Sequence, residues 1–282
     1  MFSKGIFYIV VFLFAQVVLA QELVMFKATE TGLEVPEGLP EGFHKVTLET
    51  DGMKGYTLSV FRLNEGVDLE TVKAAYTAIN EAYMEGGNPA TAMREMASLG
   101  DIVLDIDREP DGKQKTYGLV LEEGSYAVYS ASYSEEGYGE YIYELLEVTP
   151  SETPTPAPHV DQKIQLVDFA FALPADLQRG EQTWEIVNSG QQIHHLVLVK
   201  LKEGVTVEEG EKFAQTQQGE DPADYANSHF LGALAPGHSV YMDVSLVPGN
   251  YIVVCHIPDY SEGGDGEPHL AHGMMQSFTI SE

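Results

Sequence analysis

Apolar and polar positions alternate with a period of two through much of the chain. Val240, Met242, Val244 and Leu246 keep this rhythm up to a Pro248-Gly249-Asn250 turn, and Tyr251 to Cys255 follows at once. Phe278 and Ile280 alternate in the last segment, and residues 183–187 and 196–201 are β-rich runs joined through a glycine-containing turn. A period of two belongs to strands. Short strands broken by regular turns predict an all-β fold, a β-sandwich with Greek-key connections. Helical spacing intrudes only locally. Leu69, Val72, Tyr76, Ile79 and Tyr83 follow Asp68, a good N-cap, and Asn88-Pro89 starts a second helix. Residues 206–217 form a smaller counterpart.

The pattern occurs twice. Residues 35–67 can be laid on 173–205 without a gap, so that Pro36 falls on Pro174, Gly42 on Gly180, Gly52 on Gly190, Leu58 on Leu196, Leu63 on Leu201 and Gly66 on Gly204. After an insertion that is longer in the first half, the register resumes: Gly112 falls on Gly237, Leu121 on Leu246, Gly124 on Gly249 and Tyr126 on Tyr251. Residues 150–159, rich in proline, read as an extended linker. The expected organisation is a domain over 21–149, the linker, and a sister domain over 160–282, each with a helical insertion.

Residues 1–20 stand apart. Lys4 precedes an apolar run that ends Val18-Leu19-Ala20, the pattern of a secretory signal peptide. The run is shorter than the roughly 20 residues of a spanning helix. The mature chain is expected to be periplasmic or secreted, without membrane insertion. The full sequence's formal net charge of −29 repels phosphate backbones and anionic lipid, which excludes nucleic acid as a partner. With one cysteine in an oxidising place, Cys255 is a free thiol that needs burial, an intermolecular bond or a metal.

Seven of the nine histidines lie in the second copy; the others are His44 and His159. His194 enters a strand after a glycine turn, Cys255 ends a strand, and Pro268-His269-Leu-Ala-His272-Gly-Met274 leads into the last strand. A thiolate, two imidazoles and a weak thioether form the donor set of a blue-copper site. In these motifs, over residues 159–282, the chain resembles the cupredoxins, the family of plastocyanin and other small blue copper proteins. The resemblance implies a copper ion, one per chain, held by His194, Cys255, His269 and Met274. The family's spacing between Cys and the second His is only a few residues, whereas here 13 intervene, which leaves His256 and His272 as alternatives to His269. In the repeat register, Tyr56 stands at the position of His194 and Ser130 at that of Cys255. The resemblance, carried through the repeat, implies a cupredoxin-like first copy without ligands.

Each residue also has an ordinary reading. A single cysteine is more often a small buried hydrophobe than a ligand, and Met275 beside Met274 reads as core. His195, on the opposite strand face from His194, reads as a neighbour of the site or exposed. His229 and His238 read as surface residues, and the acidic loop 259–267 as solvated. The leading expectation is an exported single-copper electron carrier that is not an enzyme and has no catalytic residues. One ligand histidine would lie near the surface as the electron exit. Its partner would be a redox or copper-accepting protein, possibly basic. Copper delivery or sequestration is the alternative, and a sandwich that lost its metal is another. Two-domain copper oxidases and nitrite reductases add further histidines, in His-x-His pairs or flanking the cysteine, of which only His256 is present here.

Overall fold

The computed structural model describes residues 23–29, 32–50, 57–106, 116–134, 137–264 and 266–282. The proposed signal segment, and Gly52, Tyr56 and Gly112 of the repeat, lie outside them. The first copy runs β1 (Leu23–Thr29), β2 (Gly32–Glu34), β3 (Leu39–Pro40), β4 (Gly42–Thr50) and β5 (Leu58–Leu63). Helices α1 (Leu69–Met84) and α2 (Ala90–Leu99) follow, then β6 (Gly100–Ile106), β7 (Thr116–Leu121), β8 (Gly124–Ser134) and β9 (Gly137–Thr149). The second copy runs β10 (Gln162–Val167), β11 (Ala170–Ala172), β12 (Gly180–Asn188) and β13 (His194–Lys200). It continues with α3 (Val207–Thr216), β14 (His229–Leu234), β15 (Ser239–Leu246), β16 (Gly249–Val254) and β17 (Met275–Ile280).

The alternating pattern is realised as buried and exposed positions. In β13, His194, Leu196, Leu198 and Lys200 are buried and the residues between them are only partly so. In β15, Val240, Met242, Val244 and Leu246 all face the core. The helices start where their caps place them. The Asp68 carboxylate accepts from Thr71 N at 2.8 Å, and Thr206 and Glu209 form a reciprocal capping box at α3.

The strand registers of the two segments match pair by pair. β1 lies parallel to β4 with Val24 opposite Val46, and β10 parallel to β12 with Gln162 opposite Trp184. β4 meets β7 with Gly42 opposite Leu121, and β12 meets β15 with Gly180 opposite Leu246. Ser59 pairs with Tyr129 as Val197 pairs with Val254. Tyr126 donates to the Glu122 carbonyl at 2.8 Å, and Tyr251 does the same to the Val247 carbonyl at 3.0 Å. Gly66 and Gly204 turn at φ 80° and 82°, a left-handed conformation that disfavours any side chain.

The two sandwiches are not separate bodies. One eight-stranded sheet, in the order β11-β10-β12-β15-β7-β4-β1-β2, passes through both, and each copy adds its own second layer, β3-β9-β8-β5-β6 or β14-β13-β16-β17. The seam is the antiparallel pair β7–β15, with Leu119 opposite Val240 and Tyr117 opposite Met242. Gly118 makes it possible: a Cβ there would lie 2.5 Å from the Phe43 ring, which packs edge-on against Tyr241 with centroids 5.3 Å apart.

The glycine turn after β12 joins strands of different sheets and carries the chain across the core. The proline-rich stretch is not a free linker. Phe43 N donates to the Thr155 carbonyl at 2.8 Å, and Gly42 has no Cβ to block the approach.

Candidate metal centre

The sequence around each proposed ligand fixes its place. Asn188 closes the turn ahead of His194 by donating to the Gln192 carbonyl at 2.8 Å and the Leu234 carbonyl at 2.7 Å. Cys255 follows β16, and His269 opens a short 3-10 turn, His269–His272. The 13 intervening residues double back. His269 N donates to the Ile257 carbonyl and Leu270 N to the Cys255 carbonyl, both at 2.8 Å, while Cys255 N reaches the Met274 carbonyl at 3.1 Å. The long spacing therefore costs the site nothing in proximity.

His194, Cys255 and His269 place one donor atom each within 4.8 Å of one another. The His194 and His269 Nδ1 atoms are 3.0 Å apart, and they stand 4.0 Å and 3.5 Å from the Cys255 Sγ. The outer nitrogens are engaged elsewhere: His194 Nε2 with Asp168 Oδ1 at 3.0 Å, His269 Nε2 with Gln192 Oε1 at 3.4 Å. Those acceptors hold a proton on each Nε2 and turn each Nδ1 lone pair toward the thiol. Met274 is completely buried and joined to the cluster through its backbone.

Burial pushes the Cys255 thiol up to about 12, against the opposing pull of the His195 N–H, which donates to Sγ at 3.4 Å. Burial, and then the neighbouring His194, lowers His269 to about 4. His194 is lowered by burial too, with Asp168 opposing. Burial alone would raise Asp168; the N–H donors of Gln191, His194 and Gln192 outweigh it and hold the carboxyl below its usual range. At neutral pH the pocket thus presents two neutral imidazoles and a protonated thiol. A cation among them reverses the thiol's preference, since thiolate is the ligand form. One thiolate sulfur and two imidazoles suit copper by softness and donor type.

Several neighbours take places that the sequence did not foretell. His269 and His194 are both fully buried, so neither is the surface exit that was expected. Phe169, at φ 62°, closes over His269 with ring centroids 5.2 Å apart. His272 does not join the cluster; it lies against Phe169 and 4.0 Å from Asp259. His256 does not join either. His195 projects from the other strand face as expected, and its Nε2 accepts from His256 N at 2.6 Å. Burial, then His256, lowers His195 to about 3. His229 is buried rather than at the surface, bonded through Nε2 to the Ser245 carbonyl at 3.1 Å. His238 lies 3.4 Å from Asp101.

Loop 259–267 is only partly solvated. Asp259 and Tyr260 are buried, and Arg94 of α2 donates to the Tyr260 and Ser261 carbonyls at 3.0 and 3.1 Å. The first copy thereby steadies the loop that precedes His269. In that copy, Ser130 at the position of Cys255 donates to the Thr57 carbonyl at 2.6 Å, an internal bond in place of a ligand. Asp168, Gln192 and Phe169 carried one sequence signal between them. It was Gly190, where a Cβ would meet Asp168 and lie 2.7 Å from His194 Nε2.

No protein-family model matches the sequence, and no curated protein does. Among solved structures, auracyanin from the photosynthetic bacterium Roseiflexus castenholzii is 23% identical over 43% of this chain and 96% of its own, with a TM-score of 0.28. A blue copper oxidase from Nitrosomonas europaea is 12% identical over 92% of this chain and 86% of its own, with a TM-score of 0.23. A copper-containing nitrite reductase from Thermus scotoductus is 10% identical over 93% of this chain and 61% of its own, with a TM-score of 0.22. The expectation that the chain is not an enzyme is corrected by these findings: the structures that run the length of both copies include oxidases and a reductase. Likeness of this degree assigns no activity. The chain is a double β-sandwich whose second copy gathers His194, Cys255 and His269 into a buried cluster that could hold a metal ion.

Proposed function

We propose that the second copy holds one copper ion as a type 1 electron-transfer centre, with His194, Cys255 and His269 as ligands and Met274 as a weak thioether donor. The convergence of two Nδ1 atoms and one Sγ in a fully buried pocket carries this reading. Copper bound there supplies a one-electron redox couple. The chain's own residues hold the donor atoms in place, so that little moves when the charge changes. Asp168 and Gln192 orient the imidazoles, the His195 N–H steadies the sulfur, and Phe169 excludes water from the His269 side.

The tied-down loop and buried ligands support electron transfer over copper delivery, because release of the ion needs an opening that several backbone hydrogen bonds resist. Export through residues 1–20, a first domain over 21–149, a second over 160–282 and a basic redox partner for this acidic chain belong to the same reading. The test is copper stoichiometry with an absorbance spectrum on the wild type and on Cys255→Ser. One copper per chain and an intense blue band, both lost in the variant, are expected. A colourless complex overturns the type 1 assignment. Two or more coppers per chain overturn the single-centre reading and point to a copper oxidase or reductase.

A further inference from the structure

Where the second layers of the two copies meet, on the other side of β13 from the cluster, the two copies line a cavity of about 450 Å³. The first copy contributes the rings of Tyr76, Tyr129 and Tyr141 and the thioether of Met93; the second contributes His195 and His256. Tyr76 and Tyr129 have centroids 4.2 Å apart, and Tyr141 lies 6.2 Å from Tyr129. Walls of this composition accept a flat apolar molecule.

The polar atoms narrow the class. Because His256 N donates to His195 Nε2, the neutral His195 ring carries its proton on Nδ1, a donor with no partner among the described residues. That proton also disqualifies Nδ1 as a metal ligand. Tyr129 is 2% exposed, and its hydroxyl has no hydrogen-bond partner among the described residues. Asp105, the carboxylate in the wall, already accepts from the Ser59 hydroxyl and from Ala233 N. The Tyr129 hydroxyl is thus a buried donor left unmet, which is unfavourable, and His195 Nδ1–H is a second donor in the same wall. A guest that answers both is aromatic and neutral and brings an acceptor oxygen.

We infer that this cavity is a binding site for a small neutral aromatic carbonyl compound of one or two rings, held between the tyrosines with its oxygen toward Tyr129 and His195. The site is independent of the copper reading, so the experiment uses metal-free protein. Binding of acetophenone and of its carbonyl-free shape analogue isopropylbenzene is compared by ligand-observed NMR. Acetophenone is expected to bind about tenfold more tightly. Tyr129→Phe should close most of that gap while leaving isopropylbenzene unaffected, and Ala233→Phe, which fills the cavity, should abolish both. Cys255→Ser should change neither. Equal affinity for the two probes, no binding of acetophenone, or binding that survives Ala233→Phe each overturns the inference.

Discussion

His194 Nε2 and Asp168 Oδ1 lie 3.0 Å apart, and the carboxylate making this contact is held in turn by the N–H groups of Gln191 and Gln192, at 2.9 and 3.2 Å. The histidine proton is thereby fixed on Nε2, and Nδ1 is left to face Cys255. Outer partners of this kind set both the ring angle and the basicity of a ligand.

Removing the carboxylate tests that role. Asp168→Ala should weaken copper binding by about 10–100-fold, and Asp168→Asn by less, because the amide oxygen still accepts. Competition with a chelator of known affinity measures both. Equal affinity in wild type and Asp168→Ala would show that His194 is oriented by packing alone.

Gly190→Ala should act on the same contact from behind. The added Cβ meets Asp168 and lies 2.7 Å from His194 Nε2, so one of them must move. The expected result is a loss of copper affinity comparable to that of Asp168→Ala, with about 1–3 kcal/mol of destabilisation from overpacking. Urea unfolding of the metal-free variant separates the two effects.

The metal-free protein should lose stability in mild acid. His269 titrates near 4 and His195 near 3 in the folded chain, both below the ordinary value of 6.5. As pH falls from 6.5 toward 4, the unfolded chain therefore binds more protons than the folded one. Stability is complete above about 6.5 and falls inside this window by roughly 1.4 kcal/mol per pH unit for each such histidine. Calorimetric Tm values at pH 7 and pH 4.5 check the sign; a higher Tm at the lower pH would contradict it.

Phe169→Gly should open the His269 edge. The substitution removes the ring over the imidazole and also relieves a positive φ of 62°. Reduction of the copper form by ascorbate should accelerate severalfold with little change in copper affinity. An unchanged rate would mean that electrons enter by another face.

Much of this architecture could be read from residue types alone. The glycine and tyrosine positions of the repeat reappear as matched registers, and Asp68 caps the helix it was expected to cap. His194, Cys255 and His269 are rare enough, and ordered enough, to be found without coordinates. Asp168 and Gln192 were not, because one carboxylate or amide among many acquires meaning only when folding sets it beside an imidazole. The alternatives His256 and His272 stayed open because the outcome depends on how a 13-residue excursion closes, through backbone hydrogen bonds that any side chain could accompany. The pairing of β7 with β15 left no trace either, since a strand edge reads the same whether it faces water or a neighbour.

That pairing bears on why a copy without ligands persists. Cutting the chain between the halves would leave β7 and β15 as bare edges, the kind of surface on which chains stack into aggregates. Each half shields the other from that fate. The first copy is therefore free to drift where a ligand once could have stood, yet bound to keep its edge, and its worth to the molecule is that of a chaperone that never leaves.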